Sequence, residues 1–529
     1  MSDECIEEDN FRSDAELTVP TTQKPADADS KKEKDKIINK EEEKKFFETK
    51  DIVEDESLFK SIQELSCYHG FLPREDLKTL LQNEGDYLIR VSEIATPHGA
   101  GKNLNSNPNS SASASASASS KDIKRDLILS VFECPENQEN EGKEGKLRNL
   151  VVRRYKGRFG IEISTLFENI NELLQHYQHS NTSPKKNRLL KTPIPMQKWE
   201  FKHSDILRMG SLLGEGAYGE VRAGVLKRKG REIEVAVKLM KGGDLNKIKI
   251  REMMQEARLM RAFKHNNVVR FYGVAVDEQP LHILLELVKG GGLNSYLRKN
   301  KKQVTPSELL NICHGAALGL EYLHSNNCIH RDIAARNCLY SIDKIVKLSD
   351  FGLSRIGSSY KLTATSKLPI KWLAAETIST LMFTPKTDVY SYGVMCFEIF
   401  AEGEEPWQHV TNVEVKKYVV SGRYLQIPDS CPEKLKVFIN EKIYVADPKK
   451  RAGMREVLRV IENEIIMMEE REREKEREKE KEYVPLSNIC GTRTPHKHQH
   501  QHIHIHHINP IPNPHHRKLN KKSSNIEFE

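Results

Sequence analysis

The stretch HRDIAARN, residues 330–337, gathers a carboxylate, two guanidiniums and an amide into one short segment. Asp332 can orient a hydroxyl group and accept its proton. Asn337, and Asp350 in the nearby KLSDFG, are oxygen donors suited to a hard cation such as Mg²⁺, with Mn²⁺ as an alternative. Arg331 is a permanent cation whose planar fork suits a phosphate on a neighbouring segment. Phosphoryl transfer needs such a set: neutralised phosphate charge, an acceptor hydroxyl in line, and a place for its proton.

A second segment supplies the phosphate grip. LLGEGAYGEVRAGV places Gly214, Gly216 and Gly219 in GxGxxG spacing, a pattern that dinucleotide-binding folds share. Those folds run from the glycines into a helix. Here β-branched EVRAGV leads through KRKGRE into a second strand, IEVAVK, so the glycines sit in a hairpin. The segment Leu213, Gly214, Glu215, Gly216, Ala217, Tyr218, Gly219, Glu220 and Val221 would then close over a nucleotide such as ATP. Lys238 ends the second strand, where its ammonium can hold the α- and β-phosphates; a surface lysine on an edge strand is the plain alternative.

Other elements must position these groups. KIKIREMMQEARLMRAF carries Met253, Ala257 and Met260 as a helical stripe, with Glu256 beside it as the counter-ion of Lys238 or as a solvated carboxylate. LHILLELV reads as a buried strand whose backbone near Glu286 and Val288 can pair with adenine, with Leu285 behind. TPSELLNICHGAALGLEYLHSNN opens with a capping box, Thr305 and Glu308 around Pro306. That helix delivers HRDIAARN into the loop beyond its end.

These segments together resemble the protein-kinase family over about residues 206–466, and its tyrosine branch in particular. Serine/threonine kinases typically carry a lysine where this chain has Ala334. HRDIAARN matches the tyrosine pattern, in which Arg336 works from further along the loop. KLPIKW, with Pro369, matches the platform for a tyrosine ring. The resemblance implies that Asp332, Arg336, Lys238 and Glu256 serve catalysis. It further implies that Asn337 and Asp350 bind metal, that Asp388 braces the catalytic loop, and that Glu376 and Arg451 form an ion pair. Tyr360, in SSYKLTATS, falls where family members are phosphorylated, although an ordinary exposed tyrosine reads the same way. AAE, Tyr444 and Ala452 depart from the family's usual residues.

Upstream, YHGFLPREDLKTLLQNEGDYLIRVSE has Leu77, Leu80 and Leu81 as a short helical stripe ending before Gly85. In the strand that follows, Tyr87, Ile89 and Val91 alternate with Leu88, Arg90 and Ser92. An arginine in mid-strand is costly unless it meets an anion or an internal carboxylate. The segment resembles an SH2 domain, which implies phosphotyrosine binding by Arg90, Arg74 and Ser92. Asn149 stands where a histidine is usual. One SH2 domain directly before a tyrosine kinase resembles the Fes/Fer subfamily.

Length and composition frame this reading. The 529 residues suffice for several domains, while 37% hydrophobic and 7% aromatic residues point to a share of disorder. A net charge of +7, unevenly spread, gives no case for nucleic acid. Nine scattered cysteines without a CxxC pair fit a reducing compartment. The acidic start, Ser2 in place of glycine and the absence of an 18-residue apolar run predict a cytoplasmic chain reaching membranes only through partners.

The expected architecture is α+β and multidomain. A disordered charged leader spans 1–60. An SH2 domain spans 67–180, a small antiparallel sheet flanked by two helices, with a low-complexity insertion at about 99–120. A linker covers 181–205, and a bilobal kinase domain covers 206–466. A charged helical extension and a disordered histidine-rich tail occupy 467–529, with Tyr483 an incidental tyrosine or a docking site. The expected activity is transfer of the γ-phosphate of ATP to protein tyrosines, directed by phosphotyrosine-bearing partners. The alternative is a phosphotyrosine-binding scaffold with an inert kinase domain, and a serine/threonine kinase comes third.

Overall fold

The computed structural model describes residues 55–95, 123–134, 145–162, 164–179, 190–216, 219–240, 247–362 and 368–482. The leader to residue 54, the insertion at 99–120, Ala217, Tyr218, Tyr483 and the histidine-rich tail lie outside the described residues.

The N-terminal module begins with α1 (Glu56–Gln63), capped by Asp55, whose side chain accepts from Leu58 N–H at 3.2 Å. Phe59 and Ile62 on α1 are buried in the core. The expected leader to residue 60 therefore runs too far: an apolar pair at helical spacing anchors its end. Next come α2 (Arg74–Leu80), β1 (Asp86–Ala95), β2 (Ile123–Glu133), β3 (Lys146–Tyr155), β4 (Arg158–Glu162), β5 (Thr165–Phe167) and α3 (Ile170–His179). The strands form a sheet in the order β5-β4-β3-β2-β1-β6, with β6 (Thr192–Pro193) parallel to β1 and the rest antiparallel. Residues Tyr87–Val91 of β1 are all buried, so both faces of this strand are covered. That coverage is why Arg90 is withdrawn from water.

A sheet-rich lobe follows. It comprises β7 (Glu200–Phe201), β8 (Ile206–Gly216), β9 (Gly219–Arg228), β10 (Arg231–Met240), α4 (Lys247–Arg261), β11 (Phe271–Ala275) and β12 (His282–Glu286), in sheet order β7-β11-β12-β10-β9-β8. A helical lobe completes the fold with α5 (Leu293–Lys299), α6 (Pro306–Ser325), α7 (Ala375–Thr380), α8 (Pro385–Phe400), α9 (Asn412–Val420), α10 (Glu433–Phe438) and α11 (Met454–Glu482). Helix α8 is buried along nearly its whole length because it is apolar on almost every side. Tyr444 and Ala452, which depart from the family's usual residues, are both buried, and Tyr444 stacks between Tyr390 and Tyr424.

Two expectations about helices are modified. Thr305 caps α6 by accepting from Glu308 N–H at 3.2 Å, but the Glu308 carboxylate does not close the box. It accepts instead from Tyr296 Oη at 2.6 Å and Tyr340 Oη at 3.1 Å, and pairs with Lys344. Helix α11 runs unbroken through the expected boundary at 466/467. From Glu470 onward its described side chains are exposed, as a run of alternating charges dictates.

The segment expected as a linker is structural from Leu190 onward. It lends β6 to the first sheet and β7 to the second, and Leu190 is buried. His69 is clamped between the Glu200 carboxylate (Nδ1 at 2.8 Å) and the Ile194 carbonyl (Nε2 at 2.9 Å). Phe71 N–H donates to Val276 O at 2.8 Å, and Tyr68 Oη donates to Asp277 O at 2.9 Å. One apolar cluster runs from Phe59, Tyr68 and Leu77 into Met253, Met254 and Ala257 of α4. Seven cysteines are described and all are free. Among the described residues no helix is long and apolar enough to cross a membrane.

Candidate active site

The glycine hairpin is the β8–β9 turn. Gly219 is in the left-handed half of backbone space, φ 143°, and a Cβ there would lie 1.9 Å from Leu239 O, so only glycine fits. Gly214 meets nothing within 4 Å of an added Cβ. Leu213, Gly214, Glu215 and Gly216 end β8, while Gly219, Glu220 and Val221 open β9. Register pairs Val221 with Lys238, setting the lysine beneath the hairpin.

Lys238 Nζ donates to Glu256 Oε1 and Oε2 at 2.8 and 2.9 Å and lies 3.7 Å from Asp350 Oδ1. The Glu256 carboxyl is raised above its ordinary range by burial, which Lys238 opposes. Strand β12 ends at Glu286, whose N–H donates to Arg270 O at 2.9 Å and whose carboxylate pairs with Lys347 at 3.1 Å. Val288 is buried just beyond, and Leu285 is half-buried behind it.

The catalytic-loop residues converge through Asp388. Its buried carboxylate accepts from His330 N–H at 2.7 Å, Arg331 N–H at 2.9 Å and His324 Nε2 at 3.1 Å. Arg331 (φ 70°) and Asp350 (φ 60°) hold left-handed backbone conformations that cost non-glycine residues energy, and Asp388 anchors the first of them. The Asp332 carboxylate accepts a short bond from Arg336 Nη2. Asn337 Nδ2 donates to Asp332 O at 2.8 Å, which turns the amide oxygen of Asn337 away from that contact.

Arg336 rests on the Trp372 ring with its guanidinium carbon 4.1 Å from the centroid. Trp372 Nε1 donates to Glu398 at 3.0 Å, and the same carboxylate accepts from Ala335 N–H at 2.9 Å. Burial pushes the Glu398 carboxyl up to about 7. Nothing in the motif reading pointed to Glu398; the available signal was a lone carboxylate inside the apolar helix sequence MCFEIF.

Arg331 is already engaged, rather than free for a phosphate. Its Nη1 donates to Leu353 O at 2.8 Å, and its guanidinium lies 4.3 Å from the Tyr360 ring centroid and 4.4 Å from that of Phe383. Its buried Nε meets no acceptor among the described residues. Burial, then Arg355, lowers Arg331 to about 10. Arg355 also lies over Tyr360, at 5.3 Å, and was overlooked although it is five residues away in the same loop. Glu376 and Arg451 pair at 2.6 and 3.1 Å.

Among the described residues of the N-terminal module Arg90 donates only to neutral oxygens: Ser130 Oγ at 3.2 Å, Leu72 O at 3.4 Å and Asn149 Oδ1 at 3.1 Å. Burial, then neighbouring Arg74, lowers it to about 10. Arg74, Arg90 and Ser92 line one cavity of about 370 Å³. The hydroxyl that touches Arg90 is that of Ser130, one strand over.

Residues 207–461 match the model of the protein tyrosine and serine/threonine kinase family. The sheet-rich and helical lobes are thus the N-lobe and C-lobe of a protein kinase domain. The chain is 33% identical to tyrosine-protein kinase Fer of Homo sapiens over 379 residues, 71% of this chain and 41% of that one. It is 32% identical over 406 residues to Fer-related kinase 1 of Caenorhabditis elegans, 76% of this chain and 94% of that one. It is 29% identical over 403 residues to the transforming protein Fps of avian sarcoma virus (strain PRCII), 75% of this chain and 67% of that one. The chain thus spans about two-fifths of the mammalian Fer sequence but nearly all of the nematode one. With two-lobed geometry, motif order and relatedness in agreement, the chain belongs to the Fes/Fer-like family of tyrosine kinases.

Proposed function

We propose that the chain transfers the γ-phosphate of ATP to tyrosine hydroxyls of proteins, and that its N-terminal module is an SH2 domain that binds phosphotyrosine. The observation that carries the first part is the presence of two linked sets, Lys238–Glu256–Asp350 and Asp332–Arg336–Trp372.

The donor chemistry of Asn337 and Asp350 fits Mg²⁺: an amide oxygen turned away from the Asp332 contact, and a carboxylate that is 44% exposed. When bound, the ion neutralises charge on the phosphates. Lys238, steered by Glu256, holds the nucleotide's inner phosphates, and the β8–β9 hairpin excludes water above them. The Glu286 and Val288 backbone receives adenine. Asp332 Oδ accepts the hydroxyl proton of the incoming tyrosine, while Arg336, stacked on Trp372, fixes that carboxylate's rotamer.

Tyr360, between Arg331 and Arg355, serves as the site of autophosphorylation. Its phosphate would gain the orphaned Nε–H of Arg331 as a donor. The buried Arg90, with neutral partners alone among the described residues, supports an anion as the ligand of the N-terminal module. Free cysteines throughout the described residues support a cytoplasmic location.

The test is incubation with Mg²⁺, ATP and a glutamate–tyrosine copolymer. Native protein should label tyrosine only, and Asp332→Asn should fall by about 10³-fold. An equally unlabelled native chain and variant would instead favour the inert scaffold; labelled serine would favour the other kinase branch.

A further inference from the structure

We propose that the phosphate pocket of the N-terminal module is completed by the kinase helix α4, so that both domains read the bound phosphopeptide, favouring a carboxylate beside the phosphotyrosine. This rests on the phosphotyrosine reading above and extends it to peptide selectivity.

The cavity that holds Arg90 has two walls. One is Arg74, Glu75 and Arg90 of the N-terminal module; the other is Lys247, Ile250 and Arg251, the opening turns of α4. The arrangement is held in place by the joint between α2 and α4. Arg251 pairs with Glu75 at 2.8 Å, and Arg258 pairs at 2.8 Å with Asp76, whose side chain is only 1% exposed. Ile250 and Met254 of α4 are buried in the apolar cluster shared with α2. Lys247 is therefore fixed at the cavity rim by contacts on its own helix.

Charge then selects the ligand. Among the described residues that line the cavity, Arg74, Arg90, Lys247 and Arg251 are four cations against one carboxylate, Glu75, leaving three positive charges. A phosphotyrosine phosphate carries about 1.5 to 2 negative charges at neutral pH. With the phosphate on Arg90 and Arg74, and Arg251 engaged by Glu75, about one positive charge is unmatched. Lys247, exposed at the rim, is its bearer. The helix dipole at the start of α4 adds to the positive field on the same side. An adjacent glutamate or aspartate on the peptide is the group that closes this balance.

The experiment measures binding to the full chain of fluorescent phosphotyrosyl peptides paired as glutamate or glutamine next to the phosphotyrosine, on each side in turn. For one side, the glutamate peptide should bind native protein about fivefold more tightly. Lys247→Ala should bring the pair within about twofold, and Lys247→Glu should reverse the preference. Taking the ratio cancels any general loss of affinity, and unchanged thermal unfolding of these surface variants guards against misfolding. No preference in native protein, or a preference that survives Lys247→Ala, overturns the shared pocket. Arg90→Met, with Arg90→Lys as a milder second variant, addresses the underlying reading. Native-like binding to both would overturn phosphotyrosine recognition itself. Loss of binding there, with a ratio insensitive to Lys247, would spare that recognition and discard only the role of α4.

Discussion

Lys238 in the kinase cleft and Arg90 in the N-terminal module are both cations largely withdrawn from water, with the Lys238 side chain 18% exposed and Arg90 6% exposed. Lys238 has its counter-charge built in: Glu256 arrives from α4 and Asp350 from the loop after the short strand Val346–Leu348. Arg90 is held by a hydroxyl, a carbonyl and an amide, with a second arginine nearby that makes its burial harder still. A buried pair with its own counter-ion is a machine part, aligned before any ligand comes. A buried cation with neutral partners carries a desolvation cost that an entering anion would offset. The same helix, α4, serves both: Glu256 on one turn faces Lys238, while Lys247 and Arg251 face the cavity of Arg90.

The comparison can be broken at either end. Glu256→Gln removes the built-in partner and should lower kcat/KM for tyrosine phosphorylation by about 10²- to 10³-fold, measured by initial rates under saturating Mg²⁺. Near-native rates would mean that Lys238 does not depend on its counter-ion.

Arg90→Met should weaken phosphopeptide binding by about 10²-fold, read by fluorescence anisotropy. In the same variant, removing an unmatched buried cation should leave stability to heat within about 1 kcal/mol of native or above it. A large fall in melting temperature would assign Arg90 a structural role and erase the contrast with Lys238.

A titration sharpens the joint between the two regions. Burial raises the Asp76 carboxyl to about 6 despite its bond to Arg258. The folded state thus binds that proton more tightly than the unfolded chain, whose carboxyl titrates near about 3.9. Stability from this group is full below the unfolded value and is lost as pH rises through 6, by about 3 kcal/mol in total. Asp76→Asn should remove this slope from denaturant unfolding measured between pH 4 and 7; an unchanged slope would place the titration elsewhere. The smallest effect is expected from Tyr360→Phe, which keeps the ring between Arg331 and Arg355 but has no hydroxyl to modify. Preincubation with ATP should then fail to raise activity by the roughly tenfold gain expected of the native chain.

Much of the site was legible because its parts are local. Asp332, Arg336 and Asn337 meet within one loop, and Gly219 declares a backbone conformation through its lack of a side chain. Lys238 and Glu256 were legible at one remove, since strand and helix periodicity each face a side chain toward the cleft. Legibility failed wherever a partner came from a distant element. Ser130 beside Arg90, Glu398 under Trp372, and the diversion of Glu308 to two tyrosines all depend on which strand or helix lies alongside. A linker was expected over 181–205, yet within it β6 joins the first sheet and β7 the second.

The order of residues along the chain alone determined the chemistry on offer, because carboxylate, amide, guanidinium and glycine hairpin carry their properties in their covalent structure and near-neighbour spacing. Only the tertiary structure decided which charges meet a counter-ion and which meet neutral partners. That depends on burial and on the approach of groups remote in sequence, as when α2 docks on α4 and brings Lys247 to the rim of the cavity floored by Arg90.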